Sequence, residues 1–99
     1  MAGNPNYPIS TAAVSWFDSS NALHIRVYST DGYEVTERCN DGQGWQTGQF
    51  NKPGGAVSAI CWTASDGEHI RVYCTYEDKT TEWCCDPATG WTQGTYTPF

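Results

Sequence analysis

Leucine occurs once in this 99-residue chain, at Leu23, and methionine once, at Met1. With so few straight-chain apolar residues, and no stretch of apolar residues at a 3.6-residue period, a helical core is excluded. Basic residues are scarce: five Lys and Arg stand against eleven Asp and Glu, a formal net charge of −6. The chain therefore lacks the positive footprint that holds a phosphate backbone, and no nucleic acid is expected as a partner. The same deficit argues against anionic membranes, and no window of about 18 apolar residues exists, so no membrane insertion is expected. Met1-Ala2-Gly3-Asn4-Pro5 has neither a basic stretch nor an apolar one, so no signal peptide is expected. A closed disulfide framework is also missing. Cys39, Cys61, Cys74, Cys84 and Cys85 make an odd count, and Cys84 and Cys85 are neighbours whose side chains point to opposite faces of a strand. Free thiols packed as small hydrophobes in a reducing compartment are expected. CxxC spacing and nearby histidine ligands are both absent, so neither a metal nor a cofactor is expected.

Aromatic and β-branched residues, Thr and Gly are abundant instead, which is the composition of a pleated sheet. A repeat organises them. His24-Ile25-Arg26-Val27-Tyr28 recurs 45 residues on as His69-Ile70-Arg71-Val72-Tyr73, and Thr36-Glu37-Arg38-Cys39 returns as Thr81-Glu82-Trp83-Cys84. Gly44-Trp45 recurs as Gly90-Trp91 after one inserted residue in the turn that holds Asp86 and Pro87. Each copy reads as four short strands. The first ends at Trp16 or Trp62, the second spans Leu23–Ser29 or Glu68–Thr75, the third Glu34–Cys39 or Thr80–Cys84, and the fourth Trp45–Phe50 or Trp91–Tyr96. Asp31-Gly32, Asp41-Gly42, Asp66-Gly67 and Asp86-Pro87 are the turn makers between them. The expected organisation is a tail over 1–8, a first blade over 9–52 and a second over 53–99. Four strands in about 45 residues is the size of a β-propeller blade. The expected fold is all-β, two four-stranded propeller blades per chain. Propellers close with about 4–8 blades, so two alone would leave apolar faces bare, and head-to-tail assembly of identical chains is the simplest remedy.

Strand alternation places His24, Arg26 and Tyr28 on one face of the second strand and Leu23, Ile25 and Val27 on the other, and the second copy repeats the division. An arginine in mid-strand between blades needs a partner, and Glu37 and Glu82 on the adjacent strands are the obvious ones. Such pairs either bridge two strands or form a polyol site. A guanidinium donates in a fixed fork and a carboxylate accepts, so vicinal sugar hydroxyls satisfy both, while Trp45 and Trp91 offer apolar walls or simply pack at turn ends.

The strings His24–Tyr28, Thr36–Cys39, Asp41–Phe50 and Thr81–Cys84 resemble the fucose-specific lectin family of the Aleuria aurantia lectin type, and within it the short two-repeat members of the Ralstonia solanacearum lectin type. The resemblance covers roughly residues 9–97. It implies a six-bladed β-propeller, completed here by trimerisation into a homotrimer, with fucose or fucosylated glycans bound between adjacent blades. By resemblance, Arg26 and Glu37 hold the sugar in one site, closed by Ile70 and Trp91 with Glu68 near the rim. Arg71 and Glu82 hold it in a second, closed by Leu23, Ile25 and Trp45 of another chain, and the backbone near Gln49 and Thr95 lines the polar side. One departure stands out: Asn40 and Cys85 occupy the positions where the family has Trp after the third-strand Cys. The alternatives are a lectin for a different sugar, or a structural or protein-interaction propeller with weakened sugar sites. The free cysteines suggest cytoplasmic synthesis, with release to act on extracellular glycans.

An enzyme is not expected. A glycosidase generally needs two carboxyl groups roughly 5–10 Å apart across one bond, whereas Glu37 and Glu82 are repeat equivalents on separate blades. His24 and His69 lack a nucleophile setting and read as strand-packing or hydrogen-bonding residues.

Overall fold

The computed structural model describes residues 7–99 and holds eight strands: β1 (Ser10–Phe17), β2 (Leu23–Thr30), β3 (Glu34–Asn40), β4 (Trp45–Pro53), β5 (Ala56–Ala64), β6 (Gly67–Tyr76), β7 (Lys79–Asp86) and β8 (Gly90–Gln93). They form two four-stranded antiparallel meanders, β1-β2-β3-β4 and β5-β6-β7-β8, joined by Gly54 and Gly55. The fold is all-β, and the two sheets match the blade architecture implied by the repeat. Each turn has a local cause. Asp18 Oδ1 accepts the amides of Ser20 and Ala22, and Asp31 Oδ1 accepts those of Tyr33 and Glu34, closing the first two hairpins. Asn40 Oδ1 accepts the Gly42 amide, and Gly42 takes the φ of +101° that side chains avoid.

The core lies between the sheets. Val14, Tyr28, Val35 and Phe50 come from the first, and Ile70, Val72 and Cys74 from the second. The two sheets use opposite faces of equivalent strands. On β2 the Tyr28 face is inward; on β6 the Ile70-Val72-Cys74 face is inward. Tyr28, Phe50 and Trp91 pack edge to face or tilted, with centroids 4.6 to 6.2 Å apart, and stitch the sheets together. Gly54 seals the linker. Its carbonyl accepts the Thr30 hydroxyl, and a Cβ there would press on Val35 at 2.8 Å.

Most strands run a residue or two past the expected bounds, and two ends depart furthest. β4 runs on to Pro53, while β8 stops at Gln93. The cause of the second is local: the Gly94 amide turns inward to the Glu82 carbonyl, and Tyr96 N–H reaches the Glu82 carboxylate, which takes the chain off the sheet. The thiols are free. Cys74 and Cys84 are buried, Cys39, Cys61 and Cys85 half-buried, and burial pushes the Cys74 thiol up to about 11.

Candidate functional site

Glu37 is fixed by an irregularity in its own sheet. The β3–β4 register shifts between Thr36 and Arg38, so that Gly48, Gln49 and Phe50 wrap around one residue. The wrapped backbone turns its donors inward: Gln49 N–H and Phe50 N–H both reach Glu37 Oε1, at 3.1 and 3.4 Å, and Tyr28 Oη donates to Oε2 at 2.7 Å. Gly48 is required for this approach, because a Cβ there would collide with the carboxylate. Glu37 is 4% exposed, and burial together with its negative charge pushes the Tyr28 hydroxyl well above the usual phenol range. Tyr28 is thereby kept a neutral donor.

Arg26 is fixed by a different set. Nη1 donates to Asp41 Oδ1 at 2.8 Å and to the Ile25 carbonyl at 3.0 Å, Nη2 reaches Asp41 Oδ2 at 3.4 Å, and the guanidinium lies over the Trp16 ring at 5.0 Å. His24, two residues earlier on the same face, stacks on Trp16 with centroids 5.3 Å apart and rings 11° from parallel. Its Nδ1 meets Asp41 Oδ1 at 2.6 Å and its Nε2 meets Asp18 Oδ2 at 2.8 Å. A neutral imidazole has one N–H, and two carboxylate partners require the imidazolium. The hydrogen bonds to Asp18 and then Asp41 accordingly raise the His24 pKa, and those from Arg26 and then His24 lower that of Asp41. The second copy repeats the set: His69 bridges Asp66 and Asp86, Arg71 Nη1 bonds Asp86 at 2.8 Å, and Trp62 stacks on His69 and lies under Arg71.

The carboxylates paired with the arginines are thus Asp41 and Asp86, whereas sequence reasoning nominated Glu37 and Glu82. Glu37 and Glu82 serve instead Tyr28 and Tyr73, the latter at 2.8 Å. Asp41 and Asp86 lie 45 residues apart, in register with the repeat, so a signal was present. Asp-Gly and Asp-Pro carry turn chemistry on their own, which masks the second role.

Between the sheets these residues enclose a cleft of about 440 Å³. The first sheet contributes Trp16, Arg26, Glu37, Cys39, Gly48 and Gln49; the second contributes Glu68, Ile70, Cys85, Asp86, Pro87, Gly90 and Trp91. The structure therefore brings together Arg26, Glu37, Gln49, Ile70, Cys85 and Trp91. Burial followed by the Glu37 charge pushes the Cys39 thiol up to about 11, and burial raises that of Cys85, which keeps both protonated and unreactive near neutral pH. The other named residues lie apart. Ile25 and Trp45, with Leu23, sit on the outer face of the first sheet, and Trp45 is 48% exposed. Arg71 and Glu82 sit on the outer face of the second, beside Tyr73 and Tyr96, which line an open cavity of about 430 Å³. Thr95 is exposed after β8, and Asn40 is half-buried at the end of β3, holding its turn.

The arrangement offers a fork of N–H donors, a rigid acceptor, an aromatic wall at Trp91 and an apolar floor at Ile70. The sequence model of the family described as fungal fucose-specific lectin matches residues 3–95. Among solved structures, a point mutant of the Aleuria aurantia lectin in complex with α-methyl-L-fucoside is similar to this chain, with a TM-score of 0.67 and 27% identity over 87% of the chain. The chain spans 30% of the length of that lectin. No curated protein sequence matches it.

Proposed function

The chain belongs to the fungal fucose-specific lectin family, and on that premise we propose that it binds fucose or fucosylated glycans in the cleft between its two sheets, without catalysis. One observation carries the reading: Arg26 and Glu37 converge on one cleft, each held rigid by partners that leave hydrogen-bonding capacity unused. The guanidinium has five N–H donors, of which Asp41 and the Ile25 carbonyl engage only part, and Glu37 Oε2, which accepts only from Tyr28, has a lone pair to spare. A vicinal diol donates to the carboxylate and accepts from the guanidinium. Trp91 and Ile70 then cover the C–H face of the ring and its methyl group. Preorganisation of this kind lowers the ordering cost of binding.

Arg71, Glu82 and Tyr73 repeat the arrangement of Arg26, Glu37 and Tyr28 on the outer face of the second sheet and form the same half-site there. Ile25 and Trp45 form the matching half on the outer face of the first. Three chains joined head to tail would bring each half to its complement and close six blades, a heterologous ring. The 30% span on a full-length relative supports that count. Titration with methyl α-L-fucoside tests the binding claim, and incubation with p-nitrophenyl α-L-fucoside tests the absence of catalysis. Heat on binding without release of nitrophenol is expected. No binding to any fucoside would leave an interaction module, and nitrophenol release would make the chain an enzyme.

A further inference from the structure

A second cavity, of about 550 Å³, opens between the β1–β2 and β5–β6 turns and shares Trp16 and Glu68 with the cleft. That volume is within the range of about 300–1,000 Å³ for small-molecule sites. Glu68 stands at the join. Its Oε1 accepts from the Thr63 hydroxyl at 2.5 Å, while its Oε2 is buried and receives no N–H or O–H donor among the described residues, the Cys61 thiol beside the carboxyl group donating instead to the Ser15 carbonyl. A buried carboxylate oxygen without a donor is costly, which marks a place where a donor is received from outside. In the first repeat the equivalent position is Leu23, which accepts nothing. The carboxylate is therefore no requirement of blade packing, since the same strand forms without it.

We propose that this cavity is a subsite for the saccharide to which the fucose is attached, with Glu68 accepting a hydrogen bond from a hydroxyl or amide N–H of that saccharide. The inference rests on the fucose reading of the cleft. The walls set the chemical class. Phe17 presents a ring that is 60% exposed, suited to the apolar face of a pyranose, and Ser19 and Thr63 add hydroxyls. Asp18 and Asp66 border the same space, each paired with an imidazolium, which leaves Glu68 as the lining carboxylate without a cation. A neutral hexose or N-acetylhexosamine fits these walls, and a sulfated or sialylated one is opposed by like charge.

The test compares methyl α-L-fucoside with two neutral disaccharides, α-L-fucosyl-(1→2)-galactose and α-L-fucosyl-(1→6)-N-acetylglucosamine, by calorimetry. The wild-type chain is expected to bind at least one disaccharide roughly tenfold tighter than the methyl glycoside, the worth of one buried charge-assisted hydrogen bond. Ser65→Trp, in the exposed β5–β6 turn outside the cleft, should abolish that advantage and leave methyl fucoside affinity unchanged. Glu68→Leu, which installs the residue of the first repeat, should reduce the advantage, and a sulfate on the second sugar should remove it. Equal affinity for methyl fucoside and both disaccharides would overturn the subsite, as would an advantage that survives both variants. Absence of binding to every fucoside would instead overturn the cleft reading, and the subsite with it.

Discussion

Equivalent residues of the two repeats meet different surroundings. Ile70 is buried and Ile25 half-buried; Tyr28 is fully buried and Tyr73 half-buried; Glu37 is buried and Glu82 half-buried. Trp91 packs on Tyr28 and Phe50, while Trp45 is exposed. Yet the local bonds are the same in both: tyrosine to glutamate, arginine to aspartate, histidine between two aspartates. The repeats therefore share these bonds and differ in what covers them and at single positions, such as Leu23 against Glu68 and Asn40 against Cys85. Each blade has a polar joint face and an apolar joint face, and inside one chain only one of each is used. The comparison breaks if the two apolar faces respond alike to mutation within a single chain, and it sharpens if they do not.

The largest contrast is expected from a charge on those apolar faces. Ile70→Asp puts a carboxylate into the core between the sheets and should cost about 3–5 kcal/mol, enough to abolish cooperative melting of a small domain. Ile25→Asp puts the same group on the outer face, so the fold should survive while assembly is lost. Thermal melting with native mass separates the two, and unfolding of both variants to the same degree would erase the distinction.

Next come the arginines. Arg26→Ala should weaken fucoside binding in the within-chain cleft by about 2–5 kcal/mol, because the fork of donors is removed and Asp41 is left without its cation. Arg71→Ala should spare that cleft and remove the sites between chains. Calorimetry on each single variant reads this as loss of half of the sites. If both variants lose all binding, the two faces are not independent.

A smaller effect concerns Cys85 and Asn40, where the family has tryptophan. Cys85→Trp should act on the within-chain cleft, which Cys85 lines, and Asn40→Trp on the sites between chains. Restored apolar contact should tighten binding by about 1–2 kcal/mol in each case. Weaker binding to Cys85→Trp with an intact fold would mean that the cleft is already filled, an overpacking cost of about 1–3 kcal/mol.

The smallest effect, common to both repeats, is that of pH. His24 and His69 are raised above their ordinary 6.5 by their aspartates, so their contribution is fully present below 6.5 and is lost as pH rises through the higher folded values. Asp18, Asp41, Asp66 and Asp86 are lowered from 3.8, so theirs is present above 3.8 and lost as pH falls through the lower folded values. The melting temperature should therefore be highest between about 4 and 6.5 and decline gently on both sides. His24→Gln with His69→Gln should flatten the alkaline decline, which melting scans across pH would show.

Much of this architecture is legible in the residues. The recurrence of His24–Tyr28 exposes two blades, and its alternation separates the Arg26 face from the Ile25 face, because a strand has a period of two. Partner choice was not legible. Asp41 folds back from a turn onto Arg26 and His24, and nothing in Asp41-Gly42 distinguishes a carboxylate that points inward from one that only starts a turn. The wrap of Gly48–Phe50 around Glu37 breaks the period of two, so alternation alone misplaces those residues. The unpartnered Glu68 oxygen depends on depth between two sheets, which a single strand pattern does not encode.

The most direct test is the stoichiometry of methyl α-L-fucoside titrated into the wild-type chain. One complete cleft per chain, together with one more assembled from Arg71 and Glu82 of one copy and Ile25 and Trp45 of the next, predicts two fucosides bound per chain. One fucoside per chain would contradict the complementary half-sites, and none would contradict the cleft itself.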